Sequence, residues 1–277
     1  MNDSFLQPED YLEPRCLLCD MPVGMEQVKP VPQGRIIEKL DDYMSRRDYA
    51  GAERHLKYWL EEAKAGHDRG GALMIHNELV GHYRKTGSRN GAFEHAEAAL
   101  RLVDELKLQN TVTAGTTYIN AATACNAFGE NERALALFEQ AAAAYEAVGS
   151  VAPEKLGGLY NNMGLTLTAL GRYGEAYALF DKALHVMKSA DHGALEQAIT
   201  CLNIADAKKA ELGADAAEQE IDALLDRAYD LLNTPGIPRD GYYAFVCEKC
   251  APAFSYYGYF LAANELKKRS EAIYERA

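Results

Sequence analysis

A repeat period of 42 residues constrains the fold of this chain more than any other feature of its sequence. The clearest unit runs from Tyr160 to Leu184, where apolar residues recur at helical spacing on both sides of Gly171. Tyr118 precedes Tyr160 by 42 residues and His76 precedes Tyr118 by another 42, each followed by matching marker positions. One helix pair cannot bury its own apolar face, so such pairs must stack. The period therefore predicts an all-α solenoid of helix–turn–helix units.

Weaker copies of the unit flank the three clear ones. The fifth copy carries Gly213 at its turn, which we expect to hold a few extra residues. A loop rich in proline and glycine, residues 233–241, separates the last two copies. A proline-rich extension, residues 1–33, precedes the array, which occupies residues 34–277. The six predicted repeats lie near residues 34–70, 72–110, 114–150, 156–190, 197–232 and 241–277.

The marker residues of the clearest unit resemble the tetratricopeptide repeat family. They are Tyr160, Met163, Gly164, Gly171, Tyr173, Ala176, Phe180 and Ala183. The usual period of that family is about 34 residues, so this chain is more similar to the long-repeat members seen in kinesin light chains and in peptide-sensing regulators of Gram-positive bacteria. The resemblance implies a right-handed α-solenoid of about six repeats that binds a protein or an extended peptide in a concave groove.

Asparagines recur one position before the Leu-like marker of the repeat. In tetratricopeptide arrays an asparagine there reaches the backbone of a bound peptide, so the resemblance implies peptide-binding roles for Asn120, Asn162 and Asn203. Asn77 stands one residue earlier in its own unit and is the fourth candidate. The alternative interpretation is that these asparagines are tolerated polar residues on a helix face.

Cations at comparable positions of two first helices are further candidates for the groove. Arg84 ends one of these helices beside Lys85, and Lys209 follows Lys208 in a later one. Arg84 and Lys209 would attract carboxylates of a peptide. The alternative is that all four cations are ordinary solvated surface charge.

The charge balance limits the classes of partner. The formal net charge is −12, which disfavours nucleic acid and anionic membrane as partners. The first twenty residues lack the basic start and apolar run of a signal peptide, so we expect a cytoplasmic protein. No phosphate-binding loop, HExxH motif or nucleophile elbow is present in the sequence, so we do not expect an enzyme.

Two CxxC pairs at opposite ends of the chain are the sharpest chemical feature. Cys16 and Cys19 lie in the extension, and Cys247 and Cys250 lie in the last repeat. Four thiolates make a tetrahedral zinc site, which would dock residues 1–33 on the last repeat of the same chain or of a second chain in a homodimer. The alternatives are buried or unligated thiols, which act as small apolar side chains, and a redox role.

Three functions remain open at this point. The leading hypothesis is a non-catalytic scaffold that binds proteins or peptides. The second is a peptide-responsive regulator in which residues 1–33 occupy the groove until a ligand displaces them. The third is a zinc-binding protein whose metal is held by the four cysteines of the two CxxC pairs.

Overall fold

The computed structural model describes residues 28–276, and this part of the chain is helical with no strand. The predicted all-α solenoid of helix–turn–helix units is confirmed, whereas the bounds of the six predicted repeats stay a prediction. The helices are α1 (Gln33–Ser45), α2 (Tyr49–Ala65), α3 (Arg69–Lys85), α4 (Arg89–Glu105), α5 (Val112–Ala127), α6 (Asn131–Val148), α7 (Pro153–Ala169), α8 (Tyr173–Val186), α9 (Gly193–Leu212), α10 (Ala214–Leu232), α11 (Gly241–Tyr256) and α12 (Phe260–Tyr274).

The chain divides into two compact units within α3, between residues 75 and 76. The boundary expected at residues 33 and 34 stays a prediction. Residues just before α1 pack against the connection between α2 and α3. The Lys29 backbone N–H donates to the Gly66 carbonyl at 2.8 Å, and the Val31 N–H donates to Asp68 Oδ2 at 2.9 Å. The described end of the extension is therefore part of the first unit.

The second unit, described over residues 76–276, repeats one packing arrangement. Each first helix packs against the second helix that follows it, as in α5 with α6 and α9 with α10. First helices of neighbouring repeats also contact each other, α5 with α7, α7 with α9, and α9 with α11. We call this series α5, α7, α9 and α11 the first-helix row. Buried side chains of α9 to α12, among them Leu225, Tyr243 and Phe254, form one continuous apolar cluster.

The turn between the two helices of a repeat has the same backbone form in most of the chain. The predicted turn residue Gly171 has a positive φ angle, as does Gly129 at the equivalent turn, and Arg47 takes this conformation in the first repeat. The residue after Gly171 closes the turn, because the Arg172 N–H donates to the Leu167 carbonyl at 2.9 Å. The expectation of extra residues at the fifth turn is wrong. Gly213 alone separates α9 from α10, and the additional residues lengthen α9 to 20 residues.

Glycine and alanine at the marker positions allow the two helices of a repeat to approach closely. A Cβ atom on Gly164 of α7 would lie 2.5 Å from Cε1 of Phe180 on α8. Phe180, Ala176 and Ala183 are fully buried at this contact. The small and aromatic markers therefore act as the sequence predicts, with the small residue making room for the ring.

Candidate functional site

Asparagine and threonine side chains join the first helices of the second and third repeats. Asn77 of α3 donates from Nδ2 to Oγ1 of Thr117 on α5 at 2.9 Å. Asn120, one turn further along α5, donates from Nδ2 to Oδ1 of Asn77 at 3.0 Å. Asn77 is thus held between two side chains of the next first helix. Two of the four candidate asparagines are brought together here, and both are only partly buried.

The same arrangement recurs between α7 and α9. Asn161 donates to Thr200 Oγ1 at 2.9 Å, and Asn203 donates to Asn161 Oδ1 at 3.3 Å. Each arrangement therefore uses a threonine and an asparagine three residues apart on one helix to hold an asparagine of the preceding first helix. The sequence analysis did not single out Asn161 or the threonines. The spacing T-x-x-N recurs at residues 117–120 and 200–203, which marks the two threonines but not their partner Asn161.

Asn162 differs from its neighbour Asn161 in its contacts. Its Nδ2 donates to the Gly158 carbonyl of its own helix at 2.8 Å, and the side chain stays partly buried. A carboxamide carries two N–H donors and two acceptor lone pairs on its oxygen, so one hydrogen bond leaves most of that capacity unused. Asn162 is accordingly the candidate whose substitution disturbs the contacts between repeats least.

Ionisable charge is distributed unequally between first and second helices. No Asp, Glu, Lys or Arg occurs in α5, and α7 carries only Glu154 and Lys155 in its first turn. The second helix α10 carries six carboxylates and a single arginine. Helix α5, and α7 beyond its first turn, therefore present amide and hydroxyl groups without charge, whereas α9 carries five charged side chains of both signs and α10 is strongly acidic.

The two candidate cations have different surroundings. Arg84 is exposed at the end of α3, yet nearby protein atoms desolvate its guanidinium and lower its pKa. The Lys209 ammonium contacts the hydroxyl of Tyr256 on α11 and lies 4.1 Å from the centre of its ring. Its neighbour Lys208 pairs with Glu220 at 2.8 Å. The structure does not bring Arg84 and Lys209 together in one site.

Tyrosines of the last repeat bind acidic side chains of the repeat before it. Tyr242 of α11 donates to Glu196 of α9, and Tyr257 donates to Asp206 at 2.7 Å. Burial of the Tyr257 phenol and its hydrogen bond to Asp206 raise the pKa of Tyr257 well above its usual range. In this interface phenols make the hydrogen bonds between repeats that asparagine and threonine side chains make in the earlier interfaces. Phe245, also on α11, stays 49% exposed on the same row.

Cys247 and Cys250 both lie in the apolar cluster of α9 to α12, and both are almost fully buried. Burial raises the pKa of Cys250 to about 12 and also raises that of Cys247. Among residues 28–276 no group of three or more side chains is placed to bind a metal ion. Cys16 and Cys19 lie outside the described residues, so the four-thiolate zinc site stays a prediction.

Comparisons with known proteins agree with the repeat geometry. Residues 157–190 match the model of the tetratricopeptide repeat family. The crystal structure of BtubC (BKLC) from P. vanneervenii is similar with a TM-score of 0.62 and 21% identity, over 72% of this chain and 78% of that one. A putative kinesin light chain of Podosopora anserina with nearly identical TPR-like repeats has a TM-score of 0.50 and 19% identity, over 73% of this chain and 94% of that one.

No curated protein sequence matches this chain. None of the twelve described helices is long and apolar enough to cross a membrane. Of the comparisons, the solved structures show the fold, and the family match shows a tetratricopeptide repeat at residues 157–190. Repeats of this kind generally act as scaffolds for protein interactions and typically have no enzymatic activity.

Proposed function

Because this chain has a tetratricopeptide repeat within a tetratricopeptide-like solenoid, we propose that it is a scaffold that binds an extended, weakly charged polypeptide along the first-helix row. The observation that carries the proposal is the series of partly buried asparagines at repeat spacing on α5, α7 and α9. Asn120 and Asn203 are held in place by hydrogen bonds to the preceding first helix, and Asn162 is held by a hydrogen bond to its own helix. Fixed amide groups lose little conformational entropy when they bind a ligand.

The chemistry of the first-helix row favours recognition of the ligand's backbone over recognition of its charged side chains. An amide side chain offers both a donor and an acceptor, which matches a peptide bond of any sequence. Because α5 carries no Asp, Glu, Lys or Arg, this helix of the row offers no ion pair to a charged ligand. Leu165 of α7, which is 38% exposed, and Phe245 of α11 add apolar contacts on the same row. A ligand with alternating apolar and neutral polar residues fits this surface best.

The test uses peptides obtained by display selection against the purified chain. We expect peptides of low net charge, and we expect Asn162→Ala to weaken their binding about five- to tenfold, because one hydrogen bond contributes on the order of 1 kcal/mol. Asn162 is chosen because its side chain donates to its own helix, so the repeat interfaces stay intact.

Asn264→Ala is the matched control, because Asn264 is an exposed asparagine on the second helix α12. Fluorescence anisotropy of labelled peptides gives the dissociation constants of the wild type, Asn162→Ala and Asn264→Ala for comparison. Equal affinities of the wild type and Asn162→Ala, or strongly basic or acidic selected peptides, would contradict binding along the row.

A further inference from the structure

A second surface of the chain lies between the second helices α10 and α12. Tyr229 of α10 donates to Glu265 Oε2 of α12 at 2.5 Å, and Tyr259, directly before α12, donates to Asp222 Oδ1 at 3.0 Å. An open cavity of about 460 Å³ lies beside these bonds. Its lining combines carboxylates, phenol rings and apolar side chains, namely Asp226, Glu265, Tyr229, Tyr259, Phe260 and Leu261.

The rim of this cavity carries large apolar side chains that the described residues leave uncovered. Phe260 is 62% exposed and Leu261 is 88% exposed, and they are the first two residues of α12. The first residue of an earlier second helix, α8, contacts the next repeat instead, because the Tyr173 hydroxyl donates to the Ala210 carbonyl at 3.1 Å. Adjacent exposed apolar residues beside a cavity are typical of an interaction surface.

Negative charge on this surface is only partly used by internal contacts. Glu265 also pairs with Arg269, and Asp222 receives the Tyr259 hydroxyl. The Asp226 carboxylate makes no hydrogen bond or ion pair with any residue of the described range 28–276. Burial, the hydrogen bond to Asp222 and the charge of Asp226 together raise the pKa of Tyr259 to about 12. Two carboxylates therefore line the cavity, and that of Asp226 is available to a ligand.

We propose that this cavity binds the side chain of an arginine or lysine in a segment of a partner protein, whose neighbouring apolar residue packs on Phe260 and Leu261. The charged head would pair with Asp226, and the phenol rings of Tyr229 and Tyr259 would receive the cation and its aliphatic stem. The complementarity of charge selects a basic partner, since the carboxylates of Asp226 and Glu265 line the cavity. This surface is separate from the first-helix row, which would bind a different polypeptide.

The probe is a labelled pentapeptide, acetyl-Gly-Leu-Arg-Leu-Gly-amide, with a version in which glutamine replaces arginine. We expect the arginine peptide to bind the full chain at low ionic strength and the glutamine peptide to bind at least about fivefold more weakly, as for a desolvated cation over aromatic rings. Asp226→Asn and Leu261→Ser should each weaken binding of the arginine peptide about fivefold. Both side chains are exposed, so neither change is expected to affect folding.

Asp215→Asn is the control for net charge, because Asp215 is an exposed carboxylate of the same helix that does not line the cavity. Equal binding of the two peptides, equal effects of Asp226→Asn and Asp215→Asn, or no saturable binding at millimolar peptide would overturn the proposal. Sedimentation that shows a dimer lost in Leu261→Ser would also overturn it, since the occupant would then be a second copy. Asn162→Ala should leave arginine-peptide binding unchanged, which separates this test from that of the first-helix row.

Discussion

At the scale of single residues, asparagine side chains have two uses in this chain. Asn77 and Asn161 join neighbouring first helices, whereas Asn162 donates to a carbonyl of its own helix. A buried or half-buried amide is costly unless it is hydrogen-bonded, so the threonine partners stabilise both the stacking of repeats and the orientation of the amides. Residues that a family resemblance assigns to ligand binding thus also hold the scaffold together.

The buried thiol of Cys250 makes the stability of the protein sensitive to alkaline pH. Its pKa rises from 9.0 to about 12 on folding, so it stabilises the fold below pH 9 and this contribution is lost as pH rises towards 12. The free energy of unfolding of the wild type should therefore fall relative to that of Cys250→Ala, by at most about 1.4 kcal/mol per pH unit above pH 9.

Urea denaturation under reducing conditions, at intervals from pH 8 to pH 11, measures this difference. The tyrosines with raised pKa values titrate in both proteins, so they cancel in the comparison. Parallel stability curves for the wild type and Cys250→Ala would show that Cys250 ionises as readily in the folded protein as in the unfolded chain.

At the scale of helices, the close approach of α7 and α8 depends on the absence of a side chain at Gly164. A side chain at Gly164 would meet the buried ring of Phe180, and we expect Gly164→Ala to lower the free energy of unfolding by about 1–3 kcal/mol through overpacking. The chemically identical change Gly158→Ala, six residues earlier in α7, meets no atom within 4 Å. It should stabilise the protein by about 0.5–1 kcal/mol, because alanine favours the helix.

Chemical denaturation of the two alanine variants and the wild type gives both values in one experiment. The changes in the free energy of unfolding should have opposite signs for Gly164→Ala and Gly158→Ala. A destabilised Gly158→Ala variant would show that the site has less room than its geometry indicates, and an unaffected Gly164→Ala variant would show that the two helices separate at little cost.

The sequence predicted helices better than it predicted individual contacts. Period and spacing predict the helix pairs and the turn at Gly171, because both follow from local sequence. The positive φ angle of Arg47 was not predicted, because arginine is not a residue type that favours the left-handed conformation. The hydrogen bond between Asn161 and Thr200 was not predicted either, because a hydrogen bond between side chains of different repeats depends on how the helices stack.

At the scale of the whole molecule, charge differs strongly between helices of the second unit. Helix α5 carries no charged side chain, α9 carries both signs, and α10 carries six carboxylates and one arginine. The two binding surfaces proposed above differ in the same way, since α5 of the first-helix row is uncharged and carboxylates line the cavity.

Hydrogen–deuterium exchange with and without a display-selected peptide tests the central claim most directly, because it reports which helices the ligand protects. Binding along the first-helix row predicts slower exchange in α5, α7 and α9 and little change in α6, α8 and α10. Protection confined to the second helices, or a complex with no protection of α5 and α7, would contradict it.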